Sequence, residues 1–182
     1  PQAPPAEASP EQSRRMVVVD KEQFRSLPVT IANARAYRAQ ALGDAPGAIK
    51  YARQALDLLP ENNYFKRGRA SVFLGLAYWT CGDLETAHRS FADAMASFQM
   101  AGNTLFAISF TFILADIRMA QGRLYEAVRT YKRSLQLATE QGKPELEGTA
   151  NLHLGLSDLH LEQGDLKAAR QQLLKSEGLG EQ

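Results

Sequence analysis

Four glycines divide the chain at nearly even intervals: Gly43, Gly82, Gly122 and Gly164 stand 39, 40 and 42 residues apart. Alanine follows each one after five positions, as Ala48, Ala87, Ala127 and Ala169. Four residues later come Ala52, Phe91, Tyr131 and Leu173, and three later again Ala55, Ala94, Ser134 and Ser176. Offsets of four and three place these side chains on one stripe of a helix. Apolar residues also precede each glycine, so the repeating unit is a pair of helices joined at a turn. Glycine supplies the left-handed residue that ends the first helix, and Asp44, Asp83 and Asp165 beside it can cap the second. One such hairpin cannot bury its apolar stripe alone. Four in a row bury it by stacking, and the pattern predicts an all-α, right-handed solenoid of about four hairpins with a repeat of about 40 residues.

The clearest copy runs from Leu74 to Ala94. Gly75 lets two helices approach, Tyr78 fills the space beside it, and Ala87, Phe91 and Ala94 form the facing stripe. The order Leu-Gly-x-x-Tyr, then Ala-x-x-x-Phe-x-x-Ala, resembles the tetratricopeptide repeat. The long unit and the stretches around Leu59-Pro60, Arg67-Gly68, Ala101-Gly102-Asn103 and Gln121-Gly122-Arg123-Leu124 further resemble the repeat region of large bacterial LuxR-type, MalT-like ATP-dependent transcription regulators. The likeness covers roughly Phe24 to Leu179. It implies a sensor or regulatory segment that sits between a nucleotide-binding module and a helix-turn-helix, the other domains of the parent regulator. It carries no ATPase or DNA-reading residue to this segment. Arg118 and His160 depart from the pattern, standing where the central copy has Tyr78.

Residues 1–20, rich in Pro, Ala and Glu, read as a linker or pre-repeat segment, and 21–182 as the repeat domain. Ser9 to Gln12 can cap a short helix, Val17 to Val19 favour strand locally, and Asp20 to Ser26 reads as a short helical turn. Repeat 1 is expected from about Pro28 to Pro60, repeat 2 from Tyr64 to Met100, repeat 3 after Gly102-Asn103 and repeat 4 after Gly142 and Pro144. The first helix of repeat 3, from Leu105 to Ile117, is apolar nearly all round and calls for cover on several sides. The last hairpin ends without a polar capping helix, and an excised fragment with more repeats beyond it is expected.

Charge and side-chain chemistry exclude several functions. Lys plus Arg number 21 against 20 for Asp plus Glu, so the net charge of +1 provides no basic surface for nucleic acid. The single cysteine, Cys81, rules out an internal disulfide or a four-thiolate zinc site and suits a reducing cytoplasm; at the end of a first helix it reads as small filler. No apolar run approaches the roughly 20 residues that span a bilayer. The one Gly-Lys pair, Gly142-Lys143, lacks the upstream glycine spacing of a phosphate loop. His153 and His160, seven apart, lie roughly 10 Å apart along a helix, too far to share one ion without other ligands. His88, Ser90 and Asp93 point to different faces and assemble no catalytic group. No cofactor and no enzymatic activity are expected of this chain.

First helices line the concave side of such an array. The offsets that face it fall on Asn33, Tyr37 and Gln40 in repeat 1 and on Arg69, Val72, Phe73, Leu76 and Trp79 in repeat 2. In repeat 3 they fall on Ser109, Phe112, Asp116 and Met119, and in repeat 4 on Asn151, Leu154, Asp158 and Glu162. Aromatic walls with a few hydrogen-bonding groups suit a protein partner or small effector. Phe73, Phe112 and Met119 suit packing between neighbouring helices equally well. A free-standing adaptor for partner peptides would use the same groove. The purified chain is expected to hydrolyse no ATP and to retain no DNA at physiological salt; ATP turnover that follows point substitutions in this chain would overturn that reading.

Overall fold

The computed structural model describes residues 20–140 and 148–180. The expectations for residues 1–19 and for the Gly142–Pro144 turn lie outside them. Among the described residues the elements are α1 (Lys21–Ala41), α2 (Ala45–Leu58), α3 (Tyr64–Thr80), α4 (Leu84–Met100), α5 (Thr104–Ser109), α6 (Thr111–Ala120), α7 (Leu124–Glu140), α8 (Thr149–Glu162) and α9 (Leu166–Gly180). They pair as α1/α2, α3/α4, α5–α6/α7 and α8/α9, and each hairpin packs on the next. This is the right-handed helical array that the repeat predicts. No described helix is long and apolar enough to cross a membrane.

The turns form as their residues dictate. Gly82 has φ +78°, and an added Cβ there would meet nothing within 4 Å. The neighbouring Asp83 caps α4 by accepting from the Thr86 N–H at 3.1 Å. Hydrogen bonds from the Thr86 side chain and backbone hold the Asp83 carboxyl below its ordinary pKa. Asp44 and Asp165 cap α2 and α9 in the same way through Gly47 and Ala168, each at 2.9 Å. In the third hairpin Arg123 takes the place of aspartate and pairs instead with Glu126, guanidinium nitrogen to carboxylate oxygen at 2.7 Å.

Alanines form the core. Ala48, Ala52, Ala55, Ala87, Ala94 and Ala127 are wholly buried, and so is Phe91. An added Cβ on Gly75 would meet the Phe91 ring at 2.9 Å, so the two helices touch across the missing side chain. Gly68 stands over Phe98 in the same manner, at 2.8 Å. Ser157, in the place of Gly75 in the last hairpin, is buried and donates to the Ala169 carbonyl at 3.0 Å. A hydroxyl replaces the ring at that approach.

Four expectations are corrected. The first helix begins at Lys21, not near Pro28: Asp20 accepts from the Gln23 N–H at 2.9 Å, and Pro28 lies inside the helix. Packing of Val29, Ala32, Ala36 and Ala39, all buried at offsets of three and four, outweighs the one backbone hydrogen bond that proline removes. The first helix of repeat 3 is broken at Phe110, whose backbone leaves the helical region with φ −96° and ψ 2°. The break places the Phe110 ring against Phe91 and Phe98, with ring centres 6.2 and 5.8 Å apart, which links the second and third hairpins. Its neighbours Leu105, Phe106 and Phe112 are exposed rather than covered. In the fourth hairpin the stripe is incomplete, because Leu166 and Leu173 are exposed and no described element lies over them.

Arg118 explains its own departure from the pattern. Its side chain is only 12% exposed and reaches Glu85 and Glu126, each at 3.3 Å, so it ties α6 to α4 and α7. Tyr78 makes the corresponding link in the hairpin before, its hydroxyl accepting from Arg53 of α2. Burial, then the Arg118 charge, holds the His88 imidazole below its ordinary pKa, and its Nδ1 lies 3.3 Å from the guanidinium.

Gly75 and Gly82 therefore respond to substitution in opposite ways. Gly82→Asn should be tolerated and Gly82→Val should lose about 1 to 2 kcal/mol, since the site has space but demands a left-handed backbone. Gly75→Ala should lose about 1 to 3 kcal/mol through the Phe91 ring alone, at a backbone that alanine accepts. Urea unfolding midpoints of the three variants check this; equal losses for Gly82→Asn and Gly82→Val would show that the turn is not what matters there.

Candidate functional site

The first helices place side chains at i, i+3 and i+7 on the concave side, and two depressions form where neighbouring first helices meet. The first, about 320 Å³, lies between α1 and α3. Four expected residues meet there, Asn33, Tyr37, Arg69 and Phe73, joined by Val29, Thr30, Ala34 and Lys66. The Tyr37 and Phe73 rings meet edge to face, with centres 6.3 Å apart, and form an aromatic wall. The Asn33 Oδ1 is buried without a hydrogen-bond partner, as is the Gln40 Oε1 two turns along; the Gln40 Nε2 donates to Thr80 at 3.0 Å. Lys66 and Arg69 form no ion pair among the described residues.

The second depression, about 190 Å³, lies where α5 and α6 meet α8. It gathers Ser109, Phe112 and Asn151 with Ile108, Tyr131, Gly148 and Leu152. Phe112 is 53% exposed and walls this cavity rather than filling the core. Tyr131 belongs to a second helix, yet its phenol reaches this far because Gly155 leaves the room: a Cβ there would collide with the Tyr131 ring and hydroxyl. Burial, then the Asp116 and Asp158 carboxylates, pushes the Tyr131 phenol up to about 12. Burial likewise raises the Asp116 carboxyl above its ordinary value. Neither aspartate has a hydrogen-bond or ion-pair partner among the described residues.

Between the depressions Val72, Leu76 and Trp79 are half-buried against Phe91, Ile113 and Ile117. The Trp79 ring meets Phe91 edge to face at 6.3 Å and keeps part of its surface open. Met119 packs on the core formed by Ala115, Tyr131 and Leu156 between α6, α7 and α8. Leu154, Asp158 and Glu162 are exposed. The residues that the repeat offsets did not single out are Lys66 and Tyr131. Lys66 precedes Arg69 by one turn and could have been found on that basis. Tyr131 carries a hydroxyl where the other copies have Ala52, Phe91 and Leu173.

A larger depression, about 510 Å³, opens on the other side between α4, α6 and α7 and is lined by His88, Arg118, Glu126, Arg129, Lys132 and Arg133 among others. Its deepest cation, Arg118, is already held by Glu85 and Glu126. The concave side is the candidate site because the buried, unpartnered Asn33 Oδ1 shares a depression there with the Tyr37 and Phe73 rings. His153 Nδ1 lies 2.7 Å from Gln172, His160 Nδ1 is buried without a hydrogen-bond partner, and no group of three or more metal-ligating side chains occurs among the described residues.

The sequence model of the family described as MalT-like TPR region matches residues 30–182. The chain belongs to that family. No curated protein matches it. Among solved structures, it is similar to BtubC (BKLC) from P. vanneervenii, with a TM-score of 0.70 and 15% identity over 92% of this chain and 67% of that one. It is also similar to the Rap conjugation gene regulator of the plasmid pLS20 in complex with the Phr* peptide, with a TM-score of 0.62 and 15% identity over 95% of this chain. The match spans about half of that regulator, 48%. At such identities the likeness shows the fold, a tetratricopeptide-type solenoid of the kind that serves as a protein-interaction scaffold.

The Tyr131 phenol of this MalT-like repeat region should titrate near pH 12, and Tyr131→Phe should remove that step from an ultraviolet pH titration. The folded phenol holds its proton above the unfolded value of about 10. Stability from this group is therefore complete below pH 10 and is lost as pH rises from 10 to 12. Asp116→Asn with Asp158→Asn should lower the step without bringing it to 10, because burial is the larger cause.

Proposed function

We propose that this chain is the non-catalytic sensor segment of a LuxR-type, MalT-like transcription regulator and that a peptide or small effector lies along its concave face. The observation that carries the reading is the buried, unpartnered Asn33 Oδ1 in a depression walled by the Tyr37 and Phe73 rings, with the Gln40 Oε1 likewise unpartnered two turns along α1. A buried polar atom without a partner costs roughly 1 to 3 kcal/mol, and a ligand that bonds to it recovers that loss. Membership in the MalT-like family supports the regulatory context. The peptide complex of the structurally similar Rap regulator supports a peptide as the occupant. Regulation by this segment would act by differential binding, the ligand favouring one arrangement of the parent protein over another.

The test uses a fully randomised hexapeptide pool, passed with the purified chain through size exclusion and read by mass spectrometry. The wild type should retain peptides and quench or shift Trp79 emission, since the chain has a single tryptophan and it borders the groove. Phe73→Ala with Phe112→Ala should abolish retention while folding persists, both rings being partly or largely exposed. Equal retention by the double variant would place binding elsewhere.

A further inference from the structure

The depression between α4, α6 and α7 concentrates charge that the chain as a whole does not have. Its lining holds four cations, Arg118, Arg129, Lys132 and Arg133, against the single carboxylate of Glu126, in a chain whose net charge is +1. Arg118 is committed to Glu85 and Glu126. The other three have no ion pair and no hydrogen bond among the described residues. They stand at i, i+3 and i+4 on α7, so one turn of one helix face carries them all. The α4 wall across from them is His88, Ala92, Met95, Ala96 and Gln99, with no carboxylate to answer them. A second cleft, about 180 Å³, opens from the first and shares His88, Thr130 and Arg133 with it. Met95, Leu114 and Leu137 make its walls largely apolar. An apolar cavity of about 150 Å³ holds a benzene ring, so this cleft is ring-sized. His88 lines both clefts. Arg118 can only donate, so its 3.3 Å contact makes the His88 Nδ1 an acceptor and puts the imidazole proton on Nε2. That N–H has no partner among the described residues, which leaves a donor free in the same depression as three free cations.

We propose that the cleft between α4 and α7 is a second binding site, for a small phosphate monoester that carries one aromatic ring. The phosphate lies on Arg129, Lys132, Arg133 and the His88 Nε2–H, and the ring enters the narrower cleft against Met95, Leu114 and Leu137. Three unpaired cations within one helical turn repel one another, and a singly charged carboxylate neutralises only one of them. A phosphate monoester carries about −1.5 to −2 charges at pH 7 and three acceptor oxygens, enough to meet two guanidinium forks and an ammonium together. Apolar walls alone accept any ring, and cations alone any anion. The joined clefts select a molecule that has both, and their size falls in the range of small-molecule sites, about 300 to 1,000 Å³. An occupant held by α4 and α7 spans the joint between the second and third hairpins, the joint that Arg118 also spans.

The probe is phenyl phosphate, titrated into the isotope-labelled chain at constant ionic strength and followed by nuclear magnetic resonance. Inorganic phosphate, which lacks the ring, and phenyl sulfate, which has the same shape with a single charge, are titrated beside it. Phenyl phosphate should move the amide resonances of α4 and α7 and those of the His88 ring. It should bind about tenfold or more tightly than either comparison, which lacks a charged hydrogen bond or the buried ring. Arg129→Ala with Arg133→Ala should weaken it by about tenfold or more. Ala96→Glu should do the same by setting a carboxylate across the cleft from Arg133. All three positions are exposed, so the urea midpoints of both variants should stay near that of the wild type. Equal affinity for the three probes reduces the cleft to a charged surface and overturns the proposal. Binding that ignores both variants, or that moves resonances away from α4 and α7, overturns it too, as does the absence of saturable binding. The peptide groove on the concave side stands or falls separately.

Discussion

The distance between two helices of one hairpin governs the rest of this fold, and glycine under an aromatic ring sets it. Phe91 is wholly buried against Gly75 and Phe98 against Gly68, so α3 and α4 meet without an intervening side chain. Wholly buried alanines extend the same close approach through α2, α4 and α7. Close packing leaves little volume to adjust, and a hairpin so joined behaves as one rigid unit. The concave residues are held on rigid backs for that reason. Lys66, Arg69 and Phe73 stand at fixed offsets from Gly68 and Gly75, and the packing that fixes the glycines fixes them.

Adjacent hairpins are joined by different means at each step, and the differences fall where the repeat pattern is broken. Arg53 on Tyr78 joins the first pair. Arg118 on Glu85 and Glu126 joins the next, with the Phe110 ring between Phe91 and Phe98. The buried Thr111 and Ser134 hydroxyls bond at 2.7 Å within that hairpin. A single polar link with satisfied partners can replace an aromatic filler at a helix crossing. The departure of Arg118 from the repeat pattern is thus a substitution of one joint for another.

Local rules made most of the fold legible. Turn glycines, capping aspartates and the alanine stripe act within a few residues, so they appear in the chain as spacing. What was not legible depended on distant contacts. Pro28 reads as a helix boundary because local chemistry disfavours it, but the buried face of α1 extends on both sides of it. The break at Phe110 follows from two rings on another helix. The groove was half legible: repeat offsets located Asn33, Tyr37, Arg69 and Phe73, which do share a depression. The stripe places Tyr131 in the core, where it is buried, and its reach into the second depression depends on the gap at Gly155 in another hairpin.

Buried polar groups fare differently along the array: His160 Nδ1 and Gln163 Nε2 in the last hairpin lack hydrogen-bond partners, and Arg118 in the third does not. On the side formed by second helices, Arg118 is nearly buried and meets two carboxylates, a glutamine and a histidine, the condition under which a buried charge is tolerated. On the concave side, the Asn33 Oδ1 and the Gln40 Oε1 are buried without such partners, and Asp116 is raised by burial with no cation beside it. Apolar replacements at Asn33 and Gln40 would remove the desolvation loss of the two oxygens at no expense to the stripe, since neither residue belongs to it. On the function proposed above, a ligand in the groove would take these same atoms as its bonding partners.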